Sequence, residues 1–100
     1  MHIYNITFGV DPAVEKEFLD WLRNEFISVS TEDGEYFSRP ELMRVHADAA
    51  DGSSFALHLR ADDLDDINKW YADHGAGLFD TIQRTWPGRV VFFPTTLTLI

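Results

Sequence analysis

The chain has 100 residues, of which 45% are apolar, 14% aromatic and 25% charged, a composition that builds a packed core and does not suit a disordered acidic segment. That length accommodates one domain over residues 1–100, because two halves would each be too small to bury a sufficient core. Eight Lys and Arg against 17 Asp and Glu leave a net charge of −9, which disfavours nucleic acid or an anionic membrane surface as partner, and the lack of cysteine removes disulfides and thiolate chemistry.

Tyr4, Ile6, Phe8 and Val10 alternate with Asn5 and Thr7, the period-two pattern of a half-buried strand. Asp11-Pro12 then supplies an N-cap and a proline at the first helical position, where its missing N–H costs nothing. From Val14 onward Phe18, Trp21, Leu22 and Phe26 recur every three or four residues, so the spacing predicts a helix with one buried face. Short polar side chains and Gly34 end it in a loop over residues 28–35.

A second strand is expected over residues 37–47, at a sheet edge because Pro40 cannot donate to a ladder. Ala50-Asp51-Gly52 predicts a tight turn with Gly52 left-handed, leading into a third strand over residues 55–60. Asp62 is the expected cap of a second helix carrying Leu64, Ile67, Trp70, Tyr71 and His74 on one face, weakened at Gly75 and Gly77 and resuming over residues 78–86. Pro87-Gly88 turns the chain into a last strand built from residues 90–93 and 97–100, bent near Pro94. The order βαββαβ predicts an α+β, ferredoxin-like fold, a four-stranded antiparallel sheet with two helices on one face.

Register decides what the other face carries. Pairing Ala47 with Phe55 sets Met43, Val45 and Ala47 beside Phe55, Leu57 and Leu59 under the helices, and leaves Leu42, Arg44 and His46 with Ala56, His58 and Arg60 outside. A slip by one residue would mix cations into the apolar set, where they lose hydration. The open face then gathers Asn5, Thr7, Arg44, His46, His58 and Arg60 as the candidate ligand-binding set. The arginines suit a carboxylate or enolate, and His58 or His46 suits proton transfer. Val90 to Phe93 are apolar on both parities, so the last strand wants cover on both sides, and a second copy packing on the open face is the economical source.

The segments Ile3-Tyr4-Asn5-Ile6-Thr7, Asp20-Trp21-Leu22, Tyr71-Ala72-Asp73-His74 and Arg89-Val90-Val91-Phe92-Phe93 together resemble a family of bacterial proteins of about this length and of unknown function. That family is similar to the dimeric α+β barrel group, whose members include small monooxygenases of antibiotic biosynthesis, haem-degrading enzymes and EthD-like proteins. The resemblance covers nearly the whole chain and implies a barrel-forming homodimer with no assigned reaction. Phe26-Ile27-Ser28 stands where the resembling proteins end their first helix in His-Ile-Pro, so that histidine is missing here. Asp73-His74 matches their acidic-His step, which makes His74 a second catalytic candidate beside His58.

At the Gly75-Ala76-Gly77 break His74 suits a general base or a haem-type ligand, and equally a helix-end cation. Four histidines without an HExxH helix, and Asp48 and Asp51 off calcium-loop spacing, predict no metal site, and no cofactor is expected. Asp62, Asp63, Asp65 and Asp66 fit the positive end of the second helix, and Trp21 and Trp70 fit its core stripe and that of the first. No phosphate loop or nucleophile elbow is present. RNA-recognition domains share the βαββαβ order, but Phe55 falls under the helices and the charge has the wrong sign. Met1-His2-Ile3-Tyr4-Asn5 alternates instead of forming a basic and then apolar leader, and no 18-residue apolar stretch follows, so a cytoplasmic protein is expected. The expected function is binding of a small acidic or aromatic ligand at the open face of a homodimer. The alternatives are a cofactor-independent monooxygenase- or isomerase-like enzyme, and a non-catalytic interaction or regulatory module whose open face its twin fills.

Overall fold

The computed structural model describes residues 1–46 and 53–100; the expected turn at Ala50-Asp51-Gly52, and Ala47, Asp48 and Ala49 before it, lie outside the described residues. Strands β1 (His2–Val10), β2 (Ser38–Val45), β3 (Ser53–Ala61) and β4 (Val90–Thr98) form one antiparallel sheet in the order β2-β3-β1-β4. A first helix over residues 12–30 and a second over residues 64–85 pack on the same side of it. This is the ferredoxin-like arrangement that the element order predicts.

Local chemistry sets the helix starts. Asp11 is extended and its carboxylate accepts from the Ala13 N–H at 2.9 Å, with Pro12 opening the first turn. The second helix is capped by Asp63 and not by Asp62: Asp63 is the residue in extended conformation, and its carboxylate accepts from the Asp65 N–H at 3.1 Å. Asp65 and Asp66 follow in the first turn, where carboxylates complement the helix dipole. Both helices widen midway into π-type turns, over Leu22–Ile27 and Tyr71–Gly75.

The two central strands align Tyr4 with Leu59, Ile6 with Leu57 and Phe8 with Phe55, so six large apolar side chains face the helices together. Phe18, Leu22, Phe26, Trp70 and Ile82 close over them without residual exposure. Trp70 sits edge-on to Tyr4, Phe37 and Phe79. Its indole N–H donates to Ser30 Oγ at 3.0 Å, which satisfies a buried donor and ties the end of the first helix to the middle of the second. An unpaired indole N–H there would cost about 1–3 kcal/mol. Trp86 is buried beside Phe18 and Trp21, whereas Leu64 and Tyr71, expected on the buried helix face, are about half exposed.

The hairpin register differs from expectation. Phe55 pairs with Arg44, Leu57 with Leu42 and Ala56 with Met43, three residues away from the pairing that places Ala47 opposite Phe55. An odd shift exchanges the two faces of β2. Leu42 and Arg44 therefore stand on the helix side, and Glu41, Met43 and Val45 on the open side. Loss of hydration does not oppose this register, because Arg44 lies near the end of an edge strand and keeps 47% of its side chain exposed. Its guanidinium lies 4.8 Å from the centre of the Phe55 ring, a cation–π contact with its head in water. The shift is absorbed between Ser38 and Glu41, where the pairing is irregular and Arg39 adopts φ 49°.

Strand β4 is also more regular than expected. It pairs with β1 without interruption from Val90 to Thr98, with Pro94 opposite Ile6. As the outer strand it has one side with no neighbour, so a residue lacking an N–H fits without breaking the ladder.

Two glycines of the second helix carry opposite consequences. A Cβ on Gly75 would stand 2.6 Å from the Trp70 ring, whereas one on Gly77 meets nothing within 4 Å. Urea unfolding is expected to show Gly75→Ala destabilised by about 1–3 kcal/mol through overpacking, and Gly77→Ala stabilised by about 0.5–1 kcal/mol through helix propensity.

Candidate functional site

The face of the sheet opposite the helices is built by the outward positions of all four strands. In register across it run Glu41, His58, Asn5 and Thr95, a polar row from edge to edge. Met43, Ala56, Thr7 and Phe93 form the adjacent row, and Val45, Ser54, Gly9 and Val91 the next. On the other flank Arg60 pairs with Ile3 and Ile3 with Leu97. Phe93 is 63% exposed, and Val91, Leu97, Met43 and Val45 are exposed with it. The face thus joins an apolar border to a polar centre.

Four of the six sequence-predicted ligand residues converge here: Asn5, Thr7, His58 and Arg60, all half-buried. Asn5 Nδ2 donates to Thr7 Oγ at 3.4 Å, while Asn5 Oδ1 is buried without a partner. A buried acceptor left unpaired is uncommon in folded proteins, and it marks the centre of this row.

Arg44 does not join them. Besides covering Phe55, it reaches Glu15 of the first helix with two N–O contacts of 3.4 Å, on the opposite side of the sheet from His58. A hydrogen bond from Ser53 and then the Arg44 guanidinium hold the Glu15 carboxyl below its ordinary range. His46 is exposed immediately after β2 and belongs to neither group. Glu41, Met43 and Val45 reach the open face through the shifted register, which the sequence signals only by Pro40, in the stretch where the strand departs from regular pairing.

His74, the second catalytic candidate, lies in the π-type turn of the second helix, also on the far side of the sheet from His58. Its ring stands edge-on to Tyr36 with centroids 5.5 Å apart, and the Tyr36 hydroxyl donates to Asp73 Oδ2 at 2.5 Å. That bond is the main reason the Tyr36 phenol is pushed up to about 12. The Tyr4 phenol is also pushed up to about 12, by burial first and by Tyr71 second.

The whole chain, residues 1–100, matches the model of one protein family, described as Domain of unknown function (DUF4286). The chain belongs to this family. No curated protein matches the sequence. Among solved structures, a candidate antibiotic biosynthesis monooxygenase from Deinococcus radiodurans superposes with a TM-score of 0.73 at 15% identity, over 100% of this chain and 93% of that one. An ethyl tert-butyl ether D (EthD) family protein from Bacillus halodurans gives 0.68 at 10% identity, over 100% of both chains. A dimeric ferredoxin-like protein from an uncultured marine organism gives 0.66 at 11% identity, over 100% of this chain and 95% of that one. At such identities the likeness is one of fold, which by itself assigns no chemistry. The DUF4286 chain is thus a ferredoxin-like protein similar in fold to a candidate antibiotic biosynthesis monooxygenase and to an EthD family protein, as its sequence resemblance implies. Among the described residues no helix is long and apolar enough to cross a membrane.

The raised phenols give a pH signature. In the folded state Tyr4 and Tyr36 keep their protons up to about 12 against an ordinary value of 10.0, so folding favours the neutral form. The associated stability is fully present below pH 10 and is lost as the pH rises through 12. Tyr36 contributes the smaller share because its pair with Asp73 lies at the surface, where solvent screens it. The melting temperature is expected to fall across that alkaline window in step with tyrosinate absorbance, and Tyr4→Phe is expected to flatten the fall; an unchanged profile in Tyr4→Phe would refute the assignment.

Proposed function

We propose that this DUF4286 protein works as a homodimer whose two open sheet faces pack together and enclose a small acidic or aromatic ligand between them. The reading rests on one observation: the sheet carries helices on a single side, and its uncovered side sets exposed Phe93, Val91, Met43 and Leu97 around His58, Arg60 and Asn5. An apolar rim of that kind is costly in water and is relieved when a second copy covers it. The fold similarity to a dimeric ferredoxin-like protein supports the same arrangement.

Within the enclosed space the roles follow from residue chemistry. Arg60 supplies the charge and planar donor set that binds a carboxylate. Asn5 Oδ1 is an acceptor that a ligand hydroxyl satisfies once the side chains over it turn toward the ligand. His58, directly across the strand pair from Asn5 and beside Glu41 on its other flank, is the one imidazole of the row and the candidate for proton transfer. The clamp has one arginine, since Arg44 stands on the other face.

Two measurements check these statements. Sedimentation equilibrium is expected to give a dimer for the native chain and a monomer for Phe93→Asp, since a carboxylate at the rim of a packed interface loses its hydration; a native monomer overturns the assembly. Calorimetric titration of the dimer with 4-hydroxybenzoate is expected to show binding that Arg60→Ala weakens by roughly tenfold or more, the loss of one charge-assisted pair. Equal affinity in Arg60→Ala removes the clamp while leaving the dimer intact.

A further inference from the structure

The first helix and edge strand β2 leave a concavity of about 150 Å³ between them, lined by Leu19, Arg23, Leu42, Met43, Arg44 and Phe55. Its inner wall is apolar: Phe55 belongs to the core, and Leu19 and Leu42 pack against that core while remaining partly accessible. Two arginines stand among these side chains, one from the helix and one from the strand. In a chain with eight strong cations against 17 strong anions, two guanidiniums line one small hollow, and only that of Arg44 meets a carboxylate, Glu15.

Arg44 is held in place by the Phe55 ring at 4.8 Å, while its contacts to Glu15 are long, at 3.4 Å, and engage two of the five donors that a guanidinium offers. Among the described residues Arg23 has no carboxylate within 4 Å. Asp20, one turn earlier on its helix, is bound to Lys16 at 2.7 Å. Donor capacity therefore remains on both arginines, facing a wall of leucine and phenylalanine.

We propose that this hollow is a second binding site, distinct from the open face, for a short branched aliphatic carboxylate: the hydrocarbon body lies on Leu19, Leu42 and Phe55, and the carboxylate bridges Arg23 and Arg44. The volume suits a fragment of that size and not a larger cofactor, since sites for drug-sized ligands run to about 300–1,000 Å³. A pair of guanidiniums selects a planar carboxylate over an amide of equal shape, because the neutral group forgoes both charge-assisted bonds.

The probe is isovalerate, titrated into the full-length protein and followed by amide chemical shifts. Isovalerate is expected to shift Leu19, Arg23, Leu42 and Phe55, and Arg23→Gln, a surface change that leaves the core untouched, is expected to weaken it by roughly tenfold. Arg44→Lys keeps a positive charge but loses the planar fork, and is expected to weaken it as well. Isovaleramide is expected to bind roughly tenfold less tightly than the acid, and Arg60→Ala, on the other side of the sheet, to leave isovalerate binding unchanged. Shifts confined to Asn5, His58 and their neighbours, equal affinity for isovaleramide, or full affinity in Arg23→Gln would each overturn the site.

Discussion

The strict alternation of β1 and β3 is the constraint on which the rest of the molecule depends. These are the two central strands, and their in-register pairing commits Tyr4, Ile6, Phe8, Phe55, Leu57 and Leu59 to one side. At about 25 cal/mol per Å² of apolar surface, removing six such side chains from water is worth far more than any single polar contact in the chain. The helices must lie on that side, and the residues between the six must lie on the other. The Trp70–Ser30 hydrogen bond and the aromatic packing around it refine the joint between the helices, but they act on a layer whose orientation is already decided.

The edge strands are free of this double commitment, and it is there that the chain departs from simple pattern. Strand β2 has one neighbour, so a change of register costs it less than it would cost a central strand. Phe37, fully inside the core, and Leu42, partly so, hold the strand at two points whose spacing requires the irregularity at Ser38–Glu41. Arg44 then follows Leu42 onto the helix side and remains hydrated because the strand ends there. At the other edge Pro94 sits within an unbroken ladder for the same reason, one side of β4 having no partner strand.

These placements divide the charge of a strongly acidic protein in a particular way. The cations of the sheet separate, with Arg60 and His58 outside and Arg44 beneath, joined on that side by Arg23 of the first helix. Each side of the sheet thus carries a cationic point next to apolar surface. Similarity of fold to monooxygenase-like and EthD-like proteins, at 15% identity or less, leaves chemistry to the side chains of this chain. Asn5 carries a buried, unpaired oxygen at the middle of the open face.

The sequence by itself determined the order of the elements, the ferredoxin-like layering, the helix start at Asp11-Pro12 and the outward placement of Asn5, Thr7, His58 and Arg60, because periods of two and of 3.6 residues are written locally and a buried strand tolerates one parity. The separation of Arg44 from His58 and the continuity of β4 were decided by tertiary structure. Each of these depends on which residue of one segment meets which residue of another. For an edge strand with apolar residues on both parities, that choice is settled by the core it must reach and not by its own pattern.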